Sequence, residues 1–334
     1  MTSKIILMLF VGIALFSCRQ SSTTKEPSRM KIIIDSDANN ELDDQHALAY
    51  AFLNPEVFDV VGVTVNNTDN GAGLQGQYDE ALRIIRLFNL EDSIPLLKGA
   101  DQDYDAISSH ISEPDFDGQA AVDFIIQEAL KMKNEKLVLA PIGKLTNIAL
   151  ALLKAPQIKD KVKVVWLGGN YPSPGEYNLV NDISAVNPVI ESGVEFEMVT
   201  VRYGQPTSTD AVRVTPEEVD QYLAGKGPLA SDSVIGRYGG KYVRFGDYSK
   251  ALFDNAKMHS YPPSRALFDL VVLAVLKNES WGTKHEIPAP KLVEHAWEDQ
   301  PENPHTIVYW DQFNRDAIVM DFFQAMEAAT PQNE

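Results

Sequence analysis

The stretch IIIDSDANNELDDQHALA, residues 32–49, decides how this chain is read. A run of isoleucines, apolar on both faces as in a buried strand, delivers four aspartates into one turn before a helix. Asp35, Asp37, Asp43 and Asp44 carry like charges within that turn, and such charges repel unless they share protons or surround a cation. The turn therefore reads as a site and not as ordinary surface.

The isoleucine strand is the first of several. KIIIDSD, DVVGVTV, PLLKG, KLVLAP, VKVVWLGG and FEMVTV all read as strands buried on both faces. Between them LQGQYDEALRIIRLF places Leu74, Tyr78, Ala81, Leu82 and Ile85 on one helical face, and DGQAAVDFIIQEALK and LTNIALALLK repeat that spacing. Strict alternation of strand and helix predicts an α/β fold, a doubly wound, mostly parallel open sheet of the Rossmann-like kind. Ligands of such sheets bind outside the carboxyl ends of the strands. The polar residues gather there: the aspartates after the first strand, Asn66, Asn67 and Asn70 after the second, Ile142-Gly143 after the fourth, Gly168-Gly169-Asn170 after the fifth.

At 334 residues the chain has ample material for a buried core, and its formal charge of −18 argues against a nucleic-acid partner, which would draw on clustered Lys and Arg. Lys4 precedes an apolar run from Ile5 to Phe16, too short to span a bilayer and of the size of a signal-peptide core. Residues 1–17 are read as a lipoprotein signal peptide. The single cysteine of the chain, Cys18, resembles the lipidated first residue of a bacterial lipoprotein, and residues 18–29 read as a polar, flexible tether. Residues 30–334 form the expected single α/β domain. The implied location is the bacterial cell envelope, periplasmic or surface-facing, with the membrane reached through a lipid anchor at Cys18.

Further along, Asp269 lies inside RALFDLVVLAVL, a helix so apolar that the carboxylate must be buried and needs a cation, a proton or a helix terminus. Capping of that helix and ligation of a metal are both open for it alone; beside the aspartates of the first turn, ligation is favoured. Residues 225–263 carry Gly, Tyr and Arg in the pattern YGGKYVRFGDYSK, which reads as a mobile, substrate-facing segment.

These residues together resemble the calcium-dependent inosine-uridine nucleoside hydrolases, whose hallmark is paired aspartates in a turn after the first strand. The blocks APIGKLTNIALALLKAP (140–156), WLGGNY (166–171) and EYNLVNDISAVNPVIESG (176–193) support the resemblance in the same order, from about Lys31 onward. It implies hydrolysis of the N-glycosidic bond of a ribonucleoside or related N-riboside. It places Asp37, Asp44, Asp269 and the carbonyl of Ile142 on Ca²⁺, an all-oxygen donor set suited to that ion. Asp37 doubles as the base that takes a proton from the attacking water. Asp43, Asn67, Asn170, Glu176 and Asn178 are expected to contact the substrate, while Asp35 and His46 support the ligands from behind. A homo-oligomer, dimer or tetramer, is implied by the resemblance.

The chain also departs from the family pattern. Its first turn is two residues longer than the usual spacing, with Asn39 and Asn40 as the insert, and Asn there suits left-handed conformations or a helix cap. Phe268 stands where many relatives carry a histidine that protonates the leaving base. Tyr238, Tyr242, Tyr248, His259 and Tyr261 are then candidate acids, and Tyr171 or Trp166 candidate stacking partners. Two other classes remain: a lipoprotein that binds nucleosides or glycosides without hydrolysis, and a haloacid dehalogenase-type phosphatase with Asp35 as nucleophile.

Overall fold

The computed structural model describes residues 29–331, so the expected signal peptide, Cys18 and all but the last residue of the tether lie outside the described residues. Eight strands form the central sheet: β1 (Met30–Ser36), β2 (Phe58–Val65), β3 (Leu96–Lys98), β4 (Leu137–Pro141), β5 (Val162–Leu167), β6 (Glu195–Val199), β7 (Thr283–Pro288) and β8 (Thr306–Asp311). Their spatial order is β7-β8-β6-β5-β4-β1-β2-β3, parallel except for β7 at the edge. Period-two alternation explains why the sheet is covered on both faces. Ile32 and Ile34 enter one core and Ile33 the other, all fully buried.

The first six strands are those the sequence predicts. The last two escape its alternation: β7 is half-exposed, with charged residues and a proline on the sheet edge, a pattern that blunts edge pairing. The helices include α1 (Asp43–Leu53), α2 (Gly73–Leu87), α3 (Gln119–Lys131), α4 (Thr146–Lys154), α5 (Tyr177–Asn181), α6 (Phe245–Asn255) and α7 (Leu270–Lys277). In α2, Ala81 and Ile85 are buried as expected, while Leu74, Tyr78 and Leu82 are half-buried. Gln77 and Glu80 are fully buried in their place, since both have partners inside: the Asn39 amide for Gln77, and Gln45 and Tyr248 for Glu80.

Strand order reverses at β1. The chain passes from β1 to β2 and β3 on one side, then crosses to β4, β5 and β6 on the other, leaving a switch point between β1 and β4. There the Ile142 amide donates to the Asp35 carbonyl at 2.8 Å and joins the two strand ends. A crevice opens just beyond. The segment 225–263 is a small hairpin (Val234–Ile235 with Lys241–Tyr242) followed by α6, and no helix among the described residues is long and apolar enough to cross a membrane.

Candidate active site

Each aspartate of the first turn has a different post. Asp35, still within β1 and fully buried, accepts from Thr64 Oγ1 (2.5 Å), Asn147 Nδ2 (2.7 Å) and Asn66 Nδ2 (2.9 Å). It ties β1, β2 and α4 together and does not line the crevice. Asp37 does line it, with Oδ2 accepting from Thr68 Oγ1 at 2.7 Å. A Cβ on Gly143 would stand 2.9 Å from Asp37 Oδ1, so only glycine lets the end of β4 approach this carboxylate. The amide of Asn40 closes a turn onto the Asp37 carbonyl at 2.9 Å. Neither Asn39 nor Asn40 has a positive φ, and Leu42 occupies the cap position of α1 without a side-chain bond.

Asp43 and Asp44 open α1, where free amides and the helix dipole favour negative charge. Ser36 Oγ donates to Asp44 Oδ1 at 2.6 Å. Asp269 arrives from the cap position of α7, yet its side chain caps nothing, which rules out the plain capping role. One oxygen each from Asp43, Asp44 and Asp269 lies within 4.8 Å of the other two. The sequence expectation had Asp37 in that company and Asp43 on ribose; among the described residues the tight trio contains Asp43 instead. Asp37 sits on the strand side of a lengthened turn, whereas Asp43 and Asp44 share the first turn of a helix.

The opposite wall comes from β4 and α5. Asn178 Nδ2 donates to the carbonyls of Ile142 and Leu167, both at 3.0 Å. A carbonyl has two lone pairs, so that of Ile142 keeps one for another partner. Glu176 caps α5, accepting from the amides of Asn178, Leu179 and Gly169 between 2.8 and 3.0 Å. It has φ 124°, a strained backbone held by those three bonds. The whole encloses about 220 Å³, with Asn40, Glu41, Asn70, Tyr177, Tyr203 and Phe268 at its rim and sides.

Electrostatics show what this arrangement lacks. Burial, reinforced by neighbouring negative charge, pushes Asp37 and Asp43 up to about 6 and holds Asp44 and Asp269 well above the usual carboxylate range. Burial alone outweighs three hydrogen bonds at Asp35 and raises it to about 6; at Glu176 it gives about 7. Among the described residues, no Lys or Arg lines the crevice. Lys144, buried beside it, is paired with Asp103, and Arg265 with Glu41. An uncompensated, buried, all-oxygen cluster fits a hard divalent cation and does not fit zinc, which prefers His or Cys.

Other expected residues lie elsewhere. Asn67 does not line the crevice; its Nδ2 makes only a long 3.5 Å contact to the Asp101 carbonyl, and Asn70 takes its place at the rim. Asn170 also stays outside, bracing a loop through Arg202 N–H and the Pro174 carbonyl. His46 binds the Leu42 carbonyl and Ser249 Oγ inside a cage of Phe245, Phe253 and Phe322, and touches no carboxylate of the cluster. Burial lowers it to about 4, so it is a neutral core residue. Trp166 is buried on the Gly143 carbonyl, and Tyr171 packs against Trp297 and Tyr309. None of Tyr238, Tyr242, Tyr248, His259 and Tyr261 lines the crevice. Tyr248 is buried against Glu80 and Tyr261 is 97% exposed. Tyr203, which does line it, was missed. It follows β6, and the rule of strand carboxyl ends could have found it.

The sequence profile of the inosine-uridine preferring nucleoside hydrolases matches residues 32–326. The chain belongs to this family. Among curated members, it is 28% identical to the pyrimidine-specific ribonucleoside hydrolase RihA of Shewanella oneidensis over 221 residues, covering 60% of this chain and 66% of that one. It is 31% identical to the non-specific ribonucleoside hydrolase RihC of Shigella flexneri over 195 residues, covering 51% and 60%. The matched segments thus span less than two thirds of either relative. Among solved structures, a plant nucleoside hydrolase superposes with a TM-score of 0.69 at 19% identity, covering 90% of this chain and all of that one. A purine-preferring ribonucleoside hydrolase from Gardnerella vaginalis gives 0.67 at 21%, covering 90% and 98%. The nucleoside hydrolase fold is shared along nearly the whole described chain.

The raised carboxylates predict a pH-dependent response to cation removal. Without a cation the folded protein holds more protons than the unfolded chain between about pH 4 and pH 6, so these groups lose stability as pH rises through that window. A bound cation favours their ionised forms and reverses the trend. The gap between melting temperatures in Ca²⁺ and in chelator should widen from about pH 4 to about pH 7. A gap independent of pH counts against a cation at this cluster.

Proposed function

We propose that the protein hydrolyses the N-glycosidic bond of a ribonucleoside or related N-riboside, with Ca²⁺ bound at the carboxylate cluster. The observation that carries this reading is the convergence of Asp43, Asp44 and Asp269 within 4.8 Å at the topological switch point, with Asp37 beside them. Asp37, Asp44 and Asp269, together with the Ile142 carbonyl, would hold the cation, with Asp43 beside them. When bound, the cation would lower the pKa of a water and attract the ribose diol.

The chain's own residues do the rest. Asp37, lining the crevice and kept ionised by a cation beside it, is placed to accept a proton from the attacking water. Asp43 remains to accept from a ribose hydroxyl. Asn178 commits its Nδ2 to two carbonyls, so its Oδ1 is the atom left for the sugar. Glu176, fixed by three backbone amides, offers its remaining lone pairs to the hydroxymethyl end. As the base departs the ribose becomes oxocarbenium-like, and this ring of negative oxygens stabilises that charge.

Two features bear on the substrate. Among the described residues, six carboxylates and no Lys or Arg line the crevice, so a 5′-phosphate there would meet negative charge. The aromatic rings of Tyr177, Tyr203 and Phe268 also line the crevice, with Tyr203 edge-on to Phe268 at 5.8 Å. A planar base fits there. The Tyr203 hydroxyl, a donor on the lining of the crevice, is the group available to the leaving base in place of the absent histidine. A phosphatase reading has no support, since Asp35 is fully buried with its oxygens occupied. A lipid-anchored envelope location through Cys18 remains part of the proposal, tested by acyl labelling of the full chain against Cys18→Ser.

Residues 30–334 incubated with a nucleoside panel and Ca²⁺ should release free base and ribose, and Asp37→Asn should lower the rate by at least ~10³-fold without loss of fold. Tight binding without turnover in the wild type would leave a binding protein instead. Nucleoside 5′-monophosphates should be turned over far more slowly than the matching nucleosides, and equal rates would contradict the acidic crevice. Tyr203→Phe should reduce kcat by about 10- to 100-fold on substrates with poor leaving groups, and little on an activated nitrophenyl riboside. A uniform loss on both would assign Tyr203 to binding alone.

A further inference from the structure

The lengthened turn between Asp37 and Asp43 is held from outside by two arginines distant in sequence. Arg237 donates from Nη1 to the carbonyl and side-chain oxygens of Asn39 (3.2 and 3.3 Å) and from Nη2 to the carbonyl of Glu41 (2.5 Å). Arg265, itself buried, forms an ion pair with the Glu41 carboxylate. From the other side, Asn39 N–H donates to Gln77 Oε1 at 2.6 Å and Asn39 Nδ2 to the Gly71 carbonyl at 2.8 Å. The turn is pinned on both flanks, and Asn40 and Glu41 are left facing the crevice.

Arg237 stands on the hairpin formed by Val234–Ile235 and Lys241–Tyr242. Gly239 and Gly240, at φ 86° and 79°, make its tip, a conformation other residues adopt only with strain. The hairpin has a second anchor. Arg83 Nε donates to the Ile235 carbonyl at 2.6 Å, and Arg83 also pairs with the buried Glu80. Glu80 Oε1 in turn receives Gln45 Nε2 at 3.0 Å and the Tyr248 hydroxyl at 2.6 Å. Gln45 is the neighbour of Asp44, so the hairpin and the first turn of α1 share one hub.

The geometry points to Arg237 as a positioning residue for the cation-binding turn, holding the backbone of residues 39–41 so that Asp43 and Asp44 stay against Asp269. The physical need is plain: buried like charges push the turn apart, and among its own residues one backbone bond, Asn40 to Asp37, resists. A planar guanidinium fork reaches two carbonyls at once, which a lysine ammonium on a flexible stem does not reproduce. The inference rests on the cation reading above and is independent of which riboside is cleaved.

Calorimetric titration with Ca²⁺ tests it on the wild type, Arg237→Ala, Arg237→Lys and, as a control on the same hairpin, the exposed Lys241→Ala. Supporting partners of metal ligands typically change affinity by about 10- to 100-fold, and a Kd raised by that factor is expected for Arg237→Ala. Arg237→Lys should recover part of it and Lys241→Ala should match the wild type. The melting temperature in chelator should change little in all four. Wild-type affinity in Arg237→Ala overturns the inference, as does a loss explained by a collapsed melting temperature in chelator. If Arg237→Ala does not fold, Arg237→Lys decides: folded with wild-type affinity, it overturns the inference; folded with weakened affinity, it upholds it. A wild type that takes up no cation overturns the cation reading itself, and the inference with it.

Discussion

Mutual repulsion among buried carboxylates at the ends of β1 and β4 is the constraint on which the rest of this site depends. Asp37, Asp43, Asp44 and Asp269 are all out of water, and the charges of Asp37 and Asp43 raise the cost of charge on Asp44 and Asp269. Among the described residues, no cationic side chain lines the crevice to compensate them. The surrounding structure reads as a set of restraints against that repulsion: Ser36 on Asp44, Thr68 on Asp37, the α1 terminus beneath Asp43, and the arginine clamp on the intervening turn.

The fold makes this concentration of charge possible by geometry. Parallel strands end together, so the switch point between β1 and β4 brings the first turn and the Ile142 carbonyl to one place without long loops. Asp269 is added by α7, which packs its apolar length against the same core as α1. A different division of labour follows on the far side. There Glu176 and Asn178 use most of their hydrogen-bonding capacity on backbone groups, so this wall of the crevice is held rigid.

Sequence expectations succeeded and failed for identifiable reasons. Asp35 could be read as a supporting residue, and Asp269 as a partner of the first turn, because a lone carboxylate in an apolar run has few alternatives. Asn67 was preferred over Asn70 because adjacent amides after a strand look alike until the chain direction beyond the strand is known. His46 looked close to the cluster in sequence, but a helix turns successive side chains away from one another, and its ring enters a phenylalanine cage. The tyrosines of residues 238–261 were candidates by composition, whereas Tyr203, on the strand-end side, is the one the crevice contains.

What the sequence determined by itself was the α/β fold, the first six strands and the acidic turn, since hydrophobic period and charge density are local properties of the chain. It also carried the family resemblance, in the order of its blocks. Only the tertiary structure decided which carboxylates converge, which amide faces the crevice and what holds the lengthened turn. Those outcomes depend on contacts between residues as far apart as Asn39 and Arg237 or Glu41 and Arg265, and such contacts arise from packing, which no local pattern encodes.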